Sequence, residues 1–122
     1  MRYVTHDGNY WIHVNDGTAI VGFTQQALDD YGPLLVVAPT SPGNRLISRG
    51  QSIAALEGVS MMNCFRSPVA GKLVKFTAEA EESPELITEN SAIAMFVNVT
   101  DFSSLIPLDD NNNKDNDALS FL

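Results

Sequence analysis

The chain has almost no sulfur chemistry, little positive charge and no long apolar run, and each shortage narrows what it can be. One cysteine, Cys64, in 122 residues excludes an internal disulfide. With no cysteine pair and no cysteine-histidine spacing there is no zinc pattern either, so no metal is expected. A reducing compartment is then the default, and the chain is expected in the cytoplasm. Seven basic residues stand against 15 acidic ones, a formal charge of −8. Such a surface cannot neutralise a run of phosphates, which argues against a nucleic-acid partner and suits solubility or a basic protein partner. Nowhere do about 18 apolar residues run together, so no membrane-spanning helix is expected. Met1-Arg2-Tyr3-Val4 enters a strand-like pattern at once, without the features of a signal or transit peptide.

What is present reads as one mostly β domain with enough apolar residues, 44%, to bury a single core. Tyr10 to Val14 and Thr18 to Phe23 are rich in β-branched and aromatic residues. Between them Asn15-Asp16-Gly17 favours the positive φ of a tight hairpin. Thr24 can cap a helix over Gln25 to Tyr31, which Gly32-Pro33 ends. Leu34 to Ala38 reads as a buried strand, with Asn44 to Ile47 and Gln51 to Glu57 as further strands. A strand pair straddles Gly58 to Met61, and Gly71 to Phe76 follows the Ser67-Pro68 break. Ala78 to Glu82 and Ser83 to Ile87 read as short helices, and Ala92 to Val99 closes the β part. Many short strands with turn residues between them indicate a sandwich or flattened barrel.

Two stretches stand outside this pattern. Glu79, Glu81, Glu82, Glu85 and Glu89 put five acids into 11 residues, read first as a solvated face and only second as a docking patch. Asp109 to Asp117, DDNNNKDND, has no apolar residue, so the chain divides into a domain over 1–106 and an acidic tail over 107–122. Whether the apolar Ala118-Leu119-Ser120-Phe121-Leu122 docks on the body stays open.

Glu57-Gly58-Val59-Ser60-Met61, ahead of Ser67-Pro68-Val69-Ala70-Gly71, resembles the lipoate-attachment hairpin of the glycine cleavage H-protein family. The resemblance extends from Tyr3 to about Ile106. It includes Val21-Gly22-Phe23-Thr24 with Ala27 and Gly32, the loop glycines Gly43 and Gly50, and Pro84-Glu85-Leu86-Ile87. It implies a lipoyl-domain barrel-sandwich hybrid, two small antiparallel sheets with short helices, and an attachment lysine at a hairpin tip. Here that lysine is Ser60, whose hydroxyl cannot replace an ε-amine as the lipoyl acceptor.

The resemblance also implies a polar cleft that receives a cationic aminomethyl group. The positions that would form it read Gly8-Asn9-Tyr10-Trp11 and Asn63-Cys64, and neither Tyr10 nor Cys64 supplies a carboxylate. What is kept is what folding needs; what is changed is chemistry.

No lipoate or other cofactor is therefore expected, nor catalysis. The favoured function is a noncatalytic binding or regulatory relative of the H protein, docking to glycine cleavage components or to a lipoate ligase. Its hairpin, Glu57, Gly58, Val59, Met61 and Met62 around Ser60, would form the contact. The alternatives are a carrier working with glycine cleavage or other lipoate-dependent enzymes, or a group-carrier or redox role through Cys64, against which a lone cysteine beside Met61, Met62 and Phe65 reads as a small buried hydrophobe. Whether the two methionines point inward or outward stays open. Lys72, Lys75 and Lys114 read as solubility and edge protection, and His6 and His13 as surface or packing residues.

Overall fold

The computed structural model describes residues 1–41 and 43–108. The tail from Asp109 to Leu122, with Lys114, lies outside the described residues. The chain order is β1 (Arg2–Val4), β2 (Tyr10–Asn15), β3 (Thr18–Phe23), α1 (Gln25–Tyr31), β4 (Leu34–Pro39), β5 (Arg45–Ile47), β6 (Ser52–Gly58) and β7 (Met62–Arg66). Then come β8 (Gly71–Phe76), α2 (Ala78–Glu82), a 3₁₀ turn (Pro84–Leu86), β9 (Ala94–Val97) and β10 (Ile106–Pro107). Two antiparallel sheets result, one ordered β10-β1-β2-β3-β9-β8-β5 and a smaller one ordered β4-β6-β7.

The core lies between the sheets. Ile12, Val21, Phe23 and Phe96 come from the larger sheet and Ile53, Leu56 and Phe65 from the smaller, and all are buried. Tyr10 stacks on Phe65 with centroids 4.6 Å apart, so the aromatic cluster crosses the gap between the sheets. The outer side of β2 is covered too. Trp11 lies over Gly22, where a Cβ would stand 2.1 Å from its ring, and its indole N–H donates to the Glu89 carbonyl at 2.7 Å.

The β2-β3 hairpin turns through Asp16 at φ 49° and Gly17 at φ 79°, as the Asp-Gly pair requires. Thr24 caps α1 by accepting the Ala27 amide at 3.2 Å, and Thr77 caps α2 by accepting the Ala80 amide at the same distance. The five glutamates from Glu79 to Glu89 are all exposed, a solvated face.

Three elements differ from expectation. Leu34 to Ala38 is a strand but not a buried one, since Leu35 is 53% and Val36 39% exposed. A three-stranded sheet has only one face on the core, and a bulge between Leu34 and Val36 turns Leu35 outward. The closing strand is shorter than Ala92 to Val99, covering Ala94–Val97. Finally, β10 has no sequence signal, because it is two residues defined by pairing with β1, Tyr3 to Pro107 and Val4 to Ile106.

Candidate functional site

The β6-β7 hairpin owes its shape to its neighbours. Its turn closes with the Gly58 amide donating to the Met61 carbonyl at 2.8 Å. The apex then reaches across to the end of α1, where Val59 N–H donates to the Pro33 carbonyl at 3.0 Å and Ser60 N–H to the Tyr31 carbonyl at 2.9 Å. Gly58 makes this approach feasible, since a Cβ there would stand 2.4 Å from the Tyr31 carbonyl oxygen. Two exposed residues, Val59 and Ser60, form the apex.

The two methionines split. Met62 is 73% exposed and Val59 64%, whereas Met61 is half-buried against the core. Cross-strand pairing puts Met62, Glu57 and Val36 in one row across the smaller sheet, and Cys64, Ala55 and Ala38 in the next. The outer face of the smaller sheet is thus largely apolar near the apex.

Cys64 is exposed, and the expectation of a small buried hydrophobe is corrected. On β7 the inward position belongs to Phe65, so its neighbour Cys64 takes the other side. Cys64 lines a cleft of about 510 Å³ together with residues that are far apart in the sequence. Asp7 and His6 come from the β1-β2 loop, Tyr10 from β2, Tyr31 from α1, Arg49 from the loop before β6, and Asn63 and Arg66 from β7. Ser104 and Leu105 close it from the segment before β10.

The charge of this cleft is the part sequence reasoning missed. Tyr10 and Cys64 supply no carboxylate, but Asp7 does, held by the Thr5 hydroxyl at 2.6 Å and the Asn9 amide at 2.9 Å. Two of the chain's four arginines, Arg49 and Arg66, face it. Arg66 is fixed by a 3.2 Å bond from Nη1 to the Gly50 carbonyl, and Gly50 N–H donates to Ser67. Burial is the main cause that pushes the Tyr10 phenol well above the usual tyrosine range, with Tyr31 and Asp7 adding to it. Tyr31 is raised as well, chiefly by burial, with a hydrogen bond to Asn63 opposing. Both phenols therefore remain protonated donors at neutral pH.

The histidines divide, His13 buried in β2 and His6 exposed on the cleft rim. Among the described residues no cluster of three or more histidine, cysteine or acidic side chains is arranged to hold a metal, and no helix is long and apolar enough to cross a membrane.

Two facing antiparallel sheets, short capped helices and a hairpin pinned at its apex define a lipoyl-domain barrel-sandwich. The family model described as glycine cleavage H-protein matches residues 1–108, and the chain belongs to that family. A glycine cleavage system H protein of Listeria welshimeri is 35% identical over 80 residues, which is 66% of this chain and 63% of that protein. One from a Synechococcus strain is 31% identical over 90 residues, 74% of this chain and 67% of that protein. The chain thus spans a little under two thirds of the length of the Listeria relative. The crystal structure of an H protein from Mycobacterium marinum superposes with a TM-score of 0.73 at 24% identity, covering 86% of this chain and 88% of that one, a likeness of fold.

Proposed function

We propose that this chain is a non-carrier member of the H-protein family, a noncatalytic docking module of the cytoplasm that works with glycine cleavage components or a lipoate ligase without bearing lipoate. The observation that carries this reading is Ser60 at the apex, exposed and held by its own amide to Tyr31, where the resemblance calls for lysine. The scaffold that would present an arm is intact, and the amine that would carry it is absent. Val59 and Met62, exposed beside the apex, supply apolar area for a protein partner, and methionine adapts to varied surfaces.

Binding of the full chain to purified glycine cleavage components and to a lipoate ligase, followed by calorimetry, tests the docking surface. Met62→Asp should weaken the interaction at least about tenfold, roughly 1.4 kcal/mol, with an unchanged circular dichroism spectrum. Equal affinity of the variant for every partner that binds would contradict the assigned surface. Met61→Asp is the wrong probe, because Met61 packs against the core.

One observation favours a second reading, a thiol function: Cys64 is exposed on the wall of a polar cleft instead of being packed among apolar residues.

A further inference from the structure

The two sheets differ on the faces they turn away from the core. On the smaller sheet the outer residues are open, Met62 and Ala55 among them. On the larger sheet cross-strand pairing sets Arg2, His13, Ile20, Met95 and Lys75 in one row from β1 to β8. Their strand neighbours Ile12, Val21, Phe96 and Phe76 belong to the core cluster, which puts this row on the outer face. The middle of the row is nonetheless closed: His13 and Ile20 are each 1% exposed, Arg2 and Met95 are half-buried, and Lys75 is open. An antiparallel sheet with nothing over its second face leaves that face wet, as the smaller sheet does. The described helices are not the cover, since Ala27, Tyr31 and Ala80 turn α1 and α2 to the core cluster. The stretch around Glu89 and Ser91 lies over Trp11 and Gly22, one row away.

Charge points to the occupant. Arg2 Nε is buried without a hydrogen-bond partner among the described residues, a costly state unless an acceptor reaches it. Strands β1, β2, β3, β8 and β9 hold no aspartate or glutamate, yet they hold Arg2, Lys72 and Lys75 in a chain of net charge −8. The complement lies in the same chain, where Asp109, Asp110, Asp115 and Asp117 lead into the apolar Leu119, Phe121 and Leu122. That segment sets out from this very row, because Leu108 N–H donates to the Arg2 carbonyl at 2.9 Å. We propose that residues 109–122 fold back over the outer face of the larger sheet, with Leu119, Phe121 and Leu122 covering His13, Ile20 and Met95 and the aspartates answering Arg2 and Lys75. Reach is ample. Crossing from β1 to β8 takes roughly 19 Å at the usual strand spacing, whereas the chain from Leu108 to Leu119 extends up to about 36 Å. Such a strap fastens β1 and β10, which pair through two residues each, and leaves the smaller sheet as the face open to partners. It is independent of Ser60 and of the cleft.

Nuclear Overhauser contacts and amide exchange in the full chain test the strap. The Phe121 ring and the Leu119 and Leu122 methyls should show contacts to the Ile20 methyls, and the amides of residues 119–122 should exchange at least about tenfold slower than in an unfolded chain. Leu119→Asp with Phe121→Asp changes no residue of the sheet. It should abolish the contacts and lower the melting temperature by about 5 °C or more. Arg2→Glu with Lys75→Glu should reduce the amide protection about threefold at low salt and less at high salt. Unfolded-chain exchange rates, or no contact between Phe121 and Ile20, would overturn the proposal, as would an unchanged melting temperature in the Leu119 and Phe121 variant. Contacts seen only between differently labelled chains in a mixed sample would make a second copy the occupant and overturn it as well. Full protection in the charge-reversed chain would overturn the pairing of the aspartates with Arg2 and Lys75.

Discussion

The two tight hairpins of this protein are built on opposite plans. The β2-β3 turn is self-sufficient: Asp16 and Gly17 adopt positive φ, and the Asp-Gly pair makes that inexpensive wherever the hairpin sits. The β6-β7 apex has neither residue in that region of backbone space and carries an exposed valine. It is held from outside by bonds to the Pro33 and Tyr31 carbonyls, and by the close seat of Gly58 under Tyr31. One hairpin is therefore a folding device, while the other is a presentation device whose shape is imposed by α1. An apex tied down in this way presents Ser60, the residue on which the proposed non-carrier reading rests.

The largest effect should come from breaking the borrowed support. Gly58→Ala drives a methyl into the Tyr31 carbonyl, the acceptor that anchors the Ser60 amide, and should cost about 2 to 3 kcal/mol in a denaturant titration. A cost below that of the Gly17 substitution would mean that the apex does not depend on α1.

Gly17→Ala, with φ 79° and only an ordinary contact of its Cβ at 3.8 Å from the Val99 carbonyl oxygen, pays for backbone conformation alone, about 1 kcal/mol. Thr24→Ala sharpens the comparison from the helix side. It removes the cap that accepts the Ala27 amide, costing about 1 kcal/mol, and hydrogen exchange at the Ser60 amide should speed up because its acceptor sits at the end of the same helix. Exchange at Ser60 that follows only global unfolding would uncouple the apex from α1. Met62→Asp should be the smallest, within about 0.5 kcal/mol, since Met62 is a surface residue.

How far the sequence could be read follows the same division. Asn15-Asp16-Gly17 and the Thr24 cap were legible because the residues that specify them are local. The two facing sheets were legible through the resemblance, whose matches keep order across most of the chain. Cys64 was misread because a continuous stretch such as Met61-Met62-Asn63-Cys64-Phe65 does not reveal which alternate residues face inward until the strand is placed. Leu35 was misread for the same reason, compounded by a bulge. The cleft was beyond local reading altogether, because Asp7, Arg49, Arg66 and Leu105 meet only after both sheets close. Strand β10 shares that cause, being defined by its partner β1.

The central claim is that this protein keeps the H-protein apex without its acceptor, and intact mass after co-expression with a lipoate ligase and excess lipoate tests it most directly. The native chain should gain nothing, while Ser60→Lys, carried on the same anchored turn, should gain one lipoyl group. A native chain that gains a lipoyl group would contradict the loss of the acceptor. A Ser60→Lys chain that folds and is never modified would contradict the claim that the apex is still presented as the family presents it.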